Sequence, residues 1–350
     1  MSKSTELEIK MRELIRSGEW AINHRIPTED ELCRQFDVSR TTVRAALSAL
    51  RAEGQLHSKP RAGTIVASGS TRRRKLYLMT GSPHASIDML FVRNFLAYGC
   101  DHPEFELHLL YSGHDRRREA VAITQVLKEK DSLLLTSIVS SDHSRTMSIN
   151  NPDRIAVLGF APELSGLCCQ INTDMESGAQ MMMEHIIAMG HKRIAFLGSF
   201  LNGYRYLAWK NCQLAAGLTP DSDLVALPNL QAYDSDEKFI KYADKFFKHI
   251  FSFNEPPTAV FCVADMWANA LIHTIYANGK NVPEDISVTG FDGVYLDPDS
   301  GSGHFLTTVV QPISRMIQTA VNSLLNYKGE NPRILIRPTL HYGNSLAKLI

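Results

Sequence analysis

The chain has 350 residues, of which 44% are apolar and 21% charged, an ordinary composition for a soluble globular protein with room for two or three domains. Its zero net charge conceals an asymmetry: residues 1–75 hold 15 Lys/Arg against 9 Asp/Glu, and the remainder 22 against 28. A basic head on an acidic body suits a small nucleic-acid-binding domain joined to a larger non-binding one. The first ten residues, MSKSTELEIK, carry no apolar signal-peptide core, and no apolar run is long enough to span a bilayer, so a cytoplasmic protein is expected. A first helix is expected from about Glu6 to Gly18, with Leu7, Met11, Leu14 and Ile15 inward and Gly18 ending it. After Pro27, Thr28-Glu29-Asp30-Glu31 forms a capping box that opens a second helix, which buries Leu32 and Phe36 and ends near Asp37. Ser39 caps the next helix, whose apolar face is Val43, Ala46, Leu47 and Leu50. Arg40, Thr41 and Arg44 lie off that stripe with Thr42 nearby, all at the exposed N-terminal end. This is what a major-groove reader needs: arginine offers a fork to guanine edges, and threonine a hydroxyl for phosphate and a methyl for thymine. Two short strands around Lys59-Pro60-Arg61-Ala62-Gly63 then read as a hairpin, or wing, able to lie along a groove.

Four ordered blocks in this head resemble the GntR-type winged helix: Ile26–Glu29, Val38–Arg44, Ala49–Gly54 and Gly63–Val66. The resemblance implies that Arg40, Thr41, Thr42 and Arg44 touch DNA, that Gly63 approaches a phosphate or minor-groove edge, and that the wing with Arg61 accompanies them. Asp30 stands where many members carry an arginine, which throws more of the recognition onto Arg40 and Arg44. Residues 1–67 therefore form the DNA-binding domain, and 68–75, with Ser68-Gly69-Ser70 and Arg72-Arg73-Arg74-Lys75, a basic linker.

From residue 76 onward, strand-like apolar runs alternate with helical patterns. The runs are Leu76–Met79, Leu107–Tyr111, Leu133–Leu135, Ile155–Leu158, Ile194–Leu197, Ala259–Val263 and Ile286–Thr289. Helical patterns include Ala120–Lys130, Gly178–Met189, Asp236–Phe251 and Met266–Asn278. Repeated βαβ units imply parallel sheets covered by helices, and about 275 residues are too many for one comfortable sheet. Two α/β lobes are expected, with a ligand between them at the carboxyl ends of the strands.

Met189–Gly198, Pro257–Phe261 with Asp265, Val282–Asp292 and Leu306–Val309 resemble the LacI/GalR effector domain, whose fold is that of periplasmic sugar-binding proteins. The resemblance implies three crossovers, near 173, near Gln311 and near 327, giving lobes of 76–172 with 311–326 and of 173–310 with 327–350. It places Arg205 where the family grips sugar hydroxyls, Asp292 at a hydroxyl-binding acid position, and Gln311 at the second crossover within reach of the cleft. A polyol is held by charged or amide groups that each make two hydrogen bonds, strong where water is excluded. Phe91 or Trp209 would cover the apolar face of a ring, His84 and Asp88 stand in the first cleft loop, and Asp265 reads either as a helix N-cap or as a ligand contact. Ala208 replaces the usual glycine, Ala264 a usual asparagine and Gly159 an acid found in some members. The ligand therefore differs from the commonest hexoses, or other groups hold it.

Catalysis finds no support in the thirteen histidines: there is no G-x-S-x-G elbow, no H-E-x-x-H and no P-loop. His191 is expected to pack at a helix–strand junction. Cysteines 33, 100, 168, 169, 212 and 262 have no metal-type spacing and read as buried thiols, so neither a metal nor a cofactor is expected. An α+β winged helix-turn-helix head on an α/β two-lobed body resembles the AraR-type arabinose repressors. That arrangement implies a homodimer on a pseudo-palindromic double-stranded DNA operator, with a small effector, a carbohydrate or derivative, controlling it. A sugar-binding protein without a DNA role, or a ligand-activated activator, is the alternative.

Overall fold

A computed structural model describes residues 3–59, 63–67, 73–82, 85–159, 161–198, 203–230, 234–294 and 305–349. Arg61 and His84, and residues 68–72 of the basic linker, lie outside the described residues. The chain divides into two compact units: Met1–Arg74 with His102–Glu106, and Lys75–Asp101 with Leu107–Ile350.

In the head, α1 (Lys3–Arg16), α2 (Glu29–Phe36) and α3 (Arg40–Ala52) enclose a core of Leu7, Met11, Leu32, Val43, Leu47 and Leu50. Both halves of the capping box are made at α2: Thr28 N donates to Glu31 Oε2 at 2.7 Å, and Glu31 N to Thr28 Oγ1 at 3.4 Å. Asp37 then closes α2 in the left-handed region, φ 50°, where aspartate is tolerated better than most residues. Ser39 caps α3 by accepting from Thr42 N at 3.2 Å. Strands β1 (Leu56–Lys59) and β2 (Gly63–Val66) pair antiparallel to make the wing. A third segment joins it: Ile26 N donates to Thr64 O and Asn23 N to Val66 O, each at 3.0 Å, and Arg25 bridges Ile65.

The body has two six-stranded sheets. The first contains β3 (Arg74–Thr80), β4 (Phe105–Tyr111), β5 (Leu133–Thr136), β6 (Ile155–Leu158), β7 (Cys169–Thr173) and β13 (Arg333–Ile336), in the order β13-β7-β6-β5-β3-β4. Its helices are α4 (Ser86–Asp101), α5 (Arg116–Lys128), α6 (Asp142–Asn150) and α11 (Ile313–Leu325). The second sheet contains β8 (Ile194–Leu197), β9 (Val225–Ala226), β10 (Ala259–Cys262), β11 (Ser287–Asp292), β12 (Thr307–Val310) and β14 (Thr339–His341), in the order β14-β12-β11-β10-β8-β9. With it go α7 (Met175–Ala188), α8 (Gly203–Ala215), α9 (Asp236–Ile250) and α10 (Asp265–Ala277). Every expected apolar run falls on a strand; the central ones are apolar on both faces because helices cover both sides of a parallel sheet, and β4, at the edge, is half-buried. The edge strand β14 runs antiparallel to β12.

The chain passes between lobes after β7, after β12 and after β13. The third passage corrects the expected boundary near 327: Arg333–Ile336 pairs in parallel with Gln170–Thr173, so the first lobe keeps the chain to Ile336 and releases it at Arg337-Pro338. Likewise β3 begins at Arg74, inside the expected linker. The cysteines also differ from expectation: Cys168, Cys169 and Cys262 are buried, Cys33 and Cys212 half-buried, and Cys100 on α4 exposed, all as free thiols.

Candidate nucleic-acid interface and ligand cleft

The N-terminal half of α3 is exposed, as its sequence pattern requires, and its polar groups are engaged by neighbours in the head. Arg44 Nε donates to Glu29 Oε2 at 2.8 Å, and Arg40 Nη2 pairs with Asp30 Oδ1, so the first turn of α2 supplies an acid to each arginine. Thr41 and Thr42 hydroxyls meet Ser39 Oγ at 2.7 and 2.8 Å. At the wing, Gly63 has φ +84°, and a β-carbon there would come within 2.8 Å of Arg25 Nε. Its lack of a side chain thus admits an arginine as well as the turn. Arg51 Nη2 reaches Thr64 Oγ1 at 3.0 Å and ties the end of α3 to the wing. Sequence reasoning missed Arg25, an exposed cation beside Gly63. Its signal was a basic residue just before Ile26-Pro27, with nothing local to say that it meets residue 63.

In the body, a cleft of about 520 Å³ lies between the lobes at the carboxyl ends of the strands. Phe91 and Asp88 line it from α4, Ser137 and Gly159 from the ends of β5 and β6, and Arg205 and Gln311 from the second lobe and the second crossover. The polar floor is a chain of hydrogen bonds. Arg205 Nη2 donates to Asp292 Oδ1 at 3.3 Å, and Gln311 Nε2 donates to the same oxygen at 2.8 Å. Thr173 Oγ1, on the first crossover, donates to Gln311 Oε1 at 2.8 Å. Arg205 also donates to Val263 O and lies 3.7 Å above the Phe291 ring, a cation–π contact that fixes the guanidinium plane. Burial pushes the Asp292 carboxyl up, opposed by Arg205 and Gln311, and pushes the Arg205 guanidinium down, opposed by Asp292 and Asp265. An arginine keeps its proton in such a place, so the guanidinium stays charged against Asp292. Asp88 accepts from Ser82 N at 2.7 Å and from Ser137 Oγ at 3.5 Å, which ties the residues just after β3 and β5 to α4; burial raises its carboxyl.

Asp292 and Asp265 are not among the described residues that line the cleft: Asp292 stands a contact behind it, on Arg205 and Gln311, and Asp265 lies deeper, on Thr308. Asp265 does not cap α10, whose N-cap is Ala264 without a side-chain bond. Its carboxylate accepts from Thr308 Oγ1 and, at 2.8 Å, from Val294 N, and a β-carbon on Gly290 would collide with it. Burial and the charge of Asp292 raise it to about 7. Trp209 belongs to the core: it is 1% exposed, donates to Ile194 O at 3.1 Å and stacks on Tyr206, because its place on α8 faces the sheet. His191 packs between Thr258 Oγ1 (2.9 Å) and Ala347 O (3.0 Å), an arrangement a neutral imidazole satisfies with one donor and one acceptor. Sequence reasoning missed Asn172, Glu176, Tyr204 and Arg333 in the lining. Tyr204 had a signal in its place beside Arg205, whereas Arg333 had none, since its lobe was assigned wrongly.

No group of His, Cys, Asp and Glu able to hold a metal occurs among the described residues, and no described helix is long and apolar enough to cross a membrane.

Two family profiles match the chain: bacterial regulatory proteins of the gntR family over residues 3–66, and a periplasmic binding protein-like domain over residues 183–346. An arabinose metabolism transcriptional repressor from Geobacillus stearothermophilus is 28% identical over all of this chain and 99% of its own length. The HTH-type transcriptional repressor CytR of Escherichia coli (strain K12) is 27% identical over 61% of each chain. Among solved structures, a transcription regulator GntR from Chromobacterium violaceum superposes with a TM-score of 0.62 at 21% identity, over 78% of this chain and 99% of its own, a likeness of fold.

Proposed function

Since the chain joins a GntR-type regulatory head to a periplasmic-binding-protein-like body, we propose that it is a sequence-specific transcriptional repressor whose operator affinity is set by a small polyhydroxylated ligand in the cleft. The observation that carries the reading is the coexistence in one chain of an exposed arginine-bearing helix and a two-lobed cleft lined by Arg205 and Gln311, both held by Asp292 behind them. The relatives are named repressors, which favours repression over activation, and a DNA-free sugar binder would have no use for the winged helix. The name of the first relative supports a carbohydrate, or a derivative of one, as the ligand class. The floor supports it too: amide and charged groups, each with more than one hydrogen-bonding edge, suit vicinal hydroxyls.

In this reading Arg40, Thr41, Thr42 and Arg44 meet DNA with the wing at Gly63 and Arg61, and Arg205, Gln311, Phe91 and Asp88 meet the ligand with His84, while Asp292 holds Arg205 from behind and Asp265 adds its charge from deeper in the lobe. Ligand closes the cleft, the lobes rotate, and two heads of a homodimer lose the spacing that fits a pseudo-palindromic operator in the cytoplasm. Met89 and Leu96, a heptad apart and 45% and 48% exposed on α4, give the homodimer an apolar stripe to cover. To move the population from about 1:99 to about 99:1 the ligand must favour one state roughly 10⁴-fold. A thermal-shift screen of pentoses, hexoses, sugar acids and nucleosides tests the reading, since a ligand at about 100 times its Kd adds about 2.7 kcal/mol. Silence across that panel would remove the carbohydrate assignment.

A further inference from the structure

The three acids in the first turn of α2 have separate tasks. Glu31 closes the capping box with Thr28, Glu29 bonds Arg44 Nε, and Asp30 bonds Arg40 Nη2 across ten residues of sequence. The Asp30 carboxylate reaches from α2 to the first residue of α3. We propose that Asp30 is a positioning residue for sequence readout: by holding the Arg40 guanidinium it withholds that cation from phosphate and keeps it for a base, and so sets how well the head separates its operator from other DNA. The inference rests on α3 being the DNA-reading helix.

The chemistry follows from geometry. A guanidinium has five N–H donors in a planar fork, and an acid on Nη2 still leaves an edge with two parallel donors, which is what the O6 and N7 of guanine accept. A phosphate beside the pair meets a cation and an anion at similar distances, so the attraction of Arg40 for it is largely cancelled. Arg40 then releases few counterions, and its value lies in the base contact. The acid also fixes the direction of a side chain that is otherwise more than half exposed, which reduces the rotamer freedom lost on binding. An arginine at position 30, usual in the resembling family, would instead add a second cation for the backbone.

The test uses the full chain and an operator selected by that chain from a random duplex library. Fluorescence anisotropy then measures operator and scrambled duplex as a function of salt. Asp30→Asn is expected to steepen the slope of log K against log[salt] on the scrambled duplex by about 0.9, one phosphate's worth. It should also tighten scrambled binding several-fold and lower the operator-to-scrambled ratio, with an unchanged thermal midpoint. In an Arg40→Ala background the same substitution should move neither slope nor ratio, and Asp30→Glu should restore part of the ratio. An unchanged slope and ratio, or a change that persists without Arg40, overturns the proposal. Arg44→Ala separates the two layers: if it abolishes operator binding while Asp30→Asn does nothing, this inference alone falls. If it binds the operator as wild type does, the reading of α3 beneath it falls as well.

Discussion

Arginine meets acid in opposite settings in the head and in the cleft. On the head, Arg44 and Glu29 approach to 2.8 Å with side chains 64% and 32% exposed; in the cleft, Arg205 and Asp292 approach to 3.3 Å at 9% and 11%. Distance alone would rank the head pair first, and burial reverses that order. An exposed pair contributes about 0–1 kcal/mol because water screens it and two long side chains must be held still. Removing one partner of a buried pair costs about 3–5 kcal/mol because the other is left charged and dry. The Arg44–Glu29 pair is therefore exchangeable, open to competition from DNA, whereas the cleft pair is part of the fold.

Four experiments can break or sharpen that contrast. The largest effect is expected from Arg205→Ala, which should cost the body about 3–5 kcal/mol in denaturant unfolding and abolish the ligand response, with operator affinity kept. An unaltered midpoint would mean that the buried pair is no more structural than the exposed ones. Arg44→Ala comes next, at about 1–3 kcal/mol of operator binding with no change in the stability of the body. An equal loss on random duplex would turn Arg44 into a phosphate contact. A pH titration follows. Asp265 stays protonated in the fold to about pH 7, against an ordinary value of 3.8. Its contribution to stability is full below the ordinary value and is lost as pH rises toward about 7. Asp265→Asn should flatten the wild-type decline across that window, and a parallel curve would show that the carboxyl titrates elsewhere. Glu29→Gln should do least, under about 1 kcal/mol in the thermal unfolding of the head.

The head was readable because its signals are local. Thr28 and Glu31 are three residues apart, Ser39 caps the turn it begins, and the stripe from Val43 to Leu50 lies within one helix. The sheets were readable for a related reason, since each central strand carries its own apolar run. What escaped depends on distant partners. Arg333–Ile336 has a mixed pattern, with Leu335 half exposed, because it is an edge strand; only its pairing with β7, more than 150 residues earlier, places it in the first lobe. The depth of Asp265 likewise depends on Gly290 and Thr308, and the partner of Arg40 was visible in the sequence only as an arginine missing from position 30.

Two of the three crossovers contain a proline, Pro312 after Gln311 and Pro338 after Ile336 and Arg337. A proline ring locks φ near −65° and restricts the residue before it as well. The joint between the lobes thus has few soft torsions, and in the proposed closure of the cleft little slack remains to be ordered. On that proposal binding energy goes into choosing one lobe orientation over another, the mechanics of a stiff toggle, in which a Pro338→Gly joint would blunt the snap without touching the ligand.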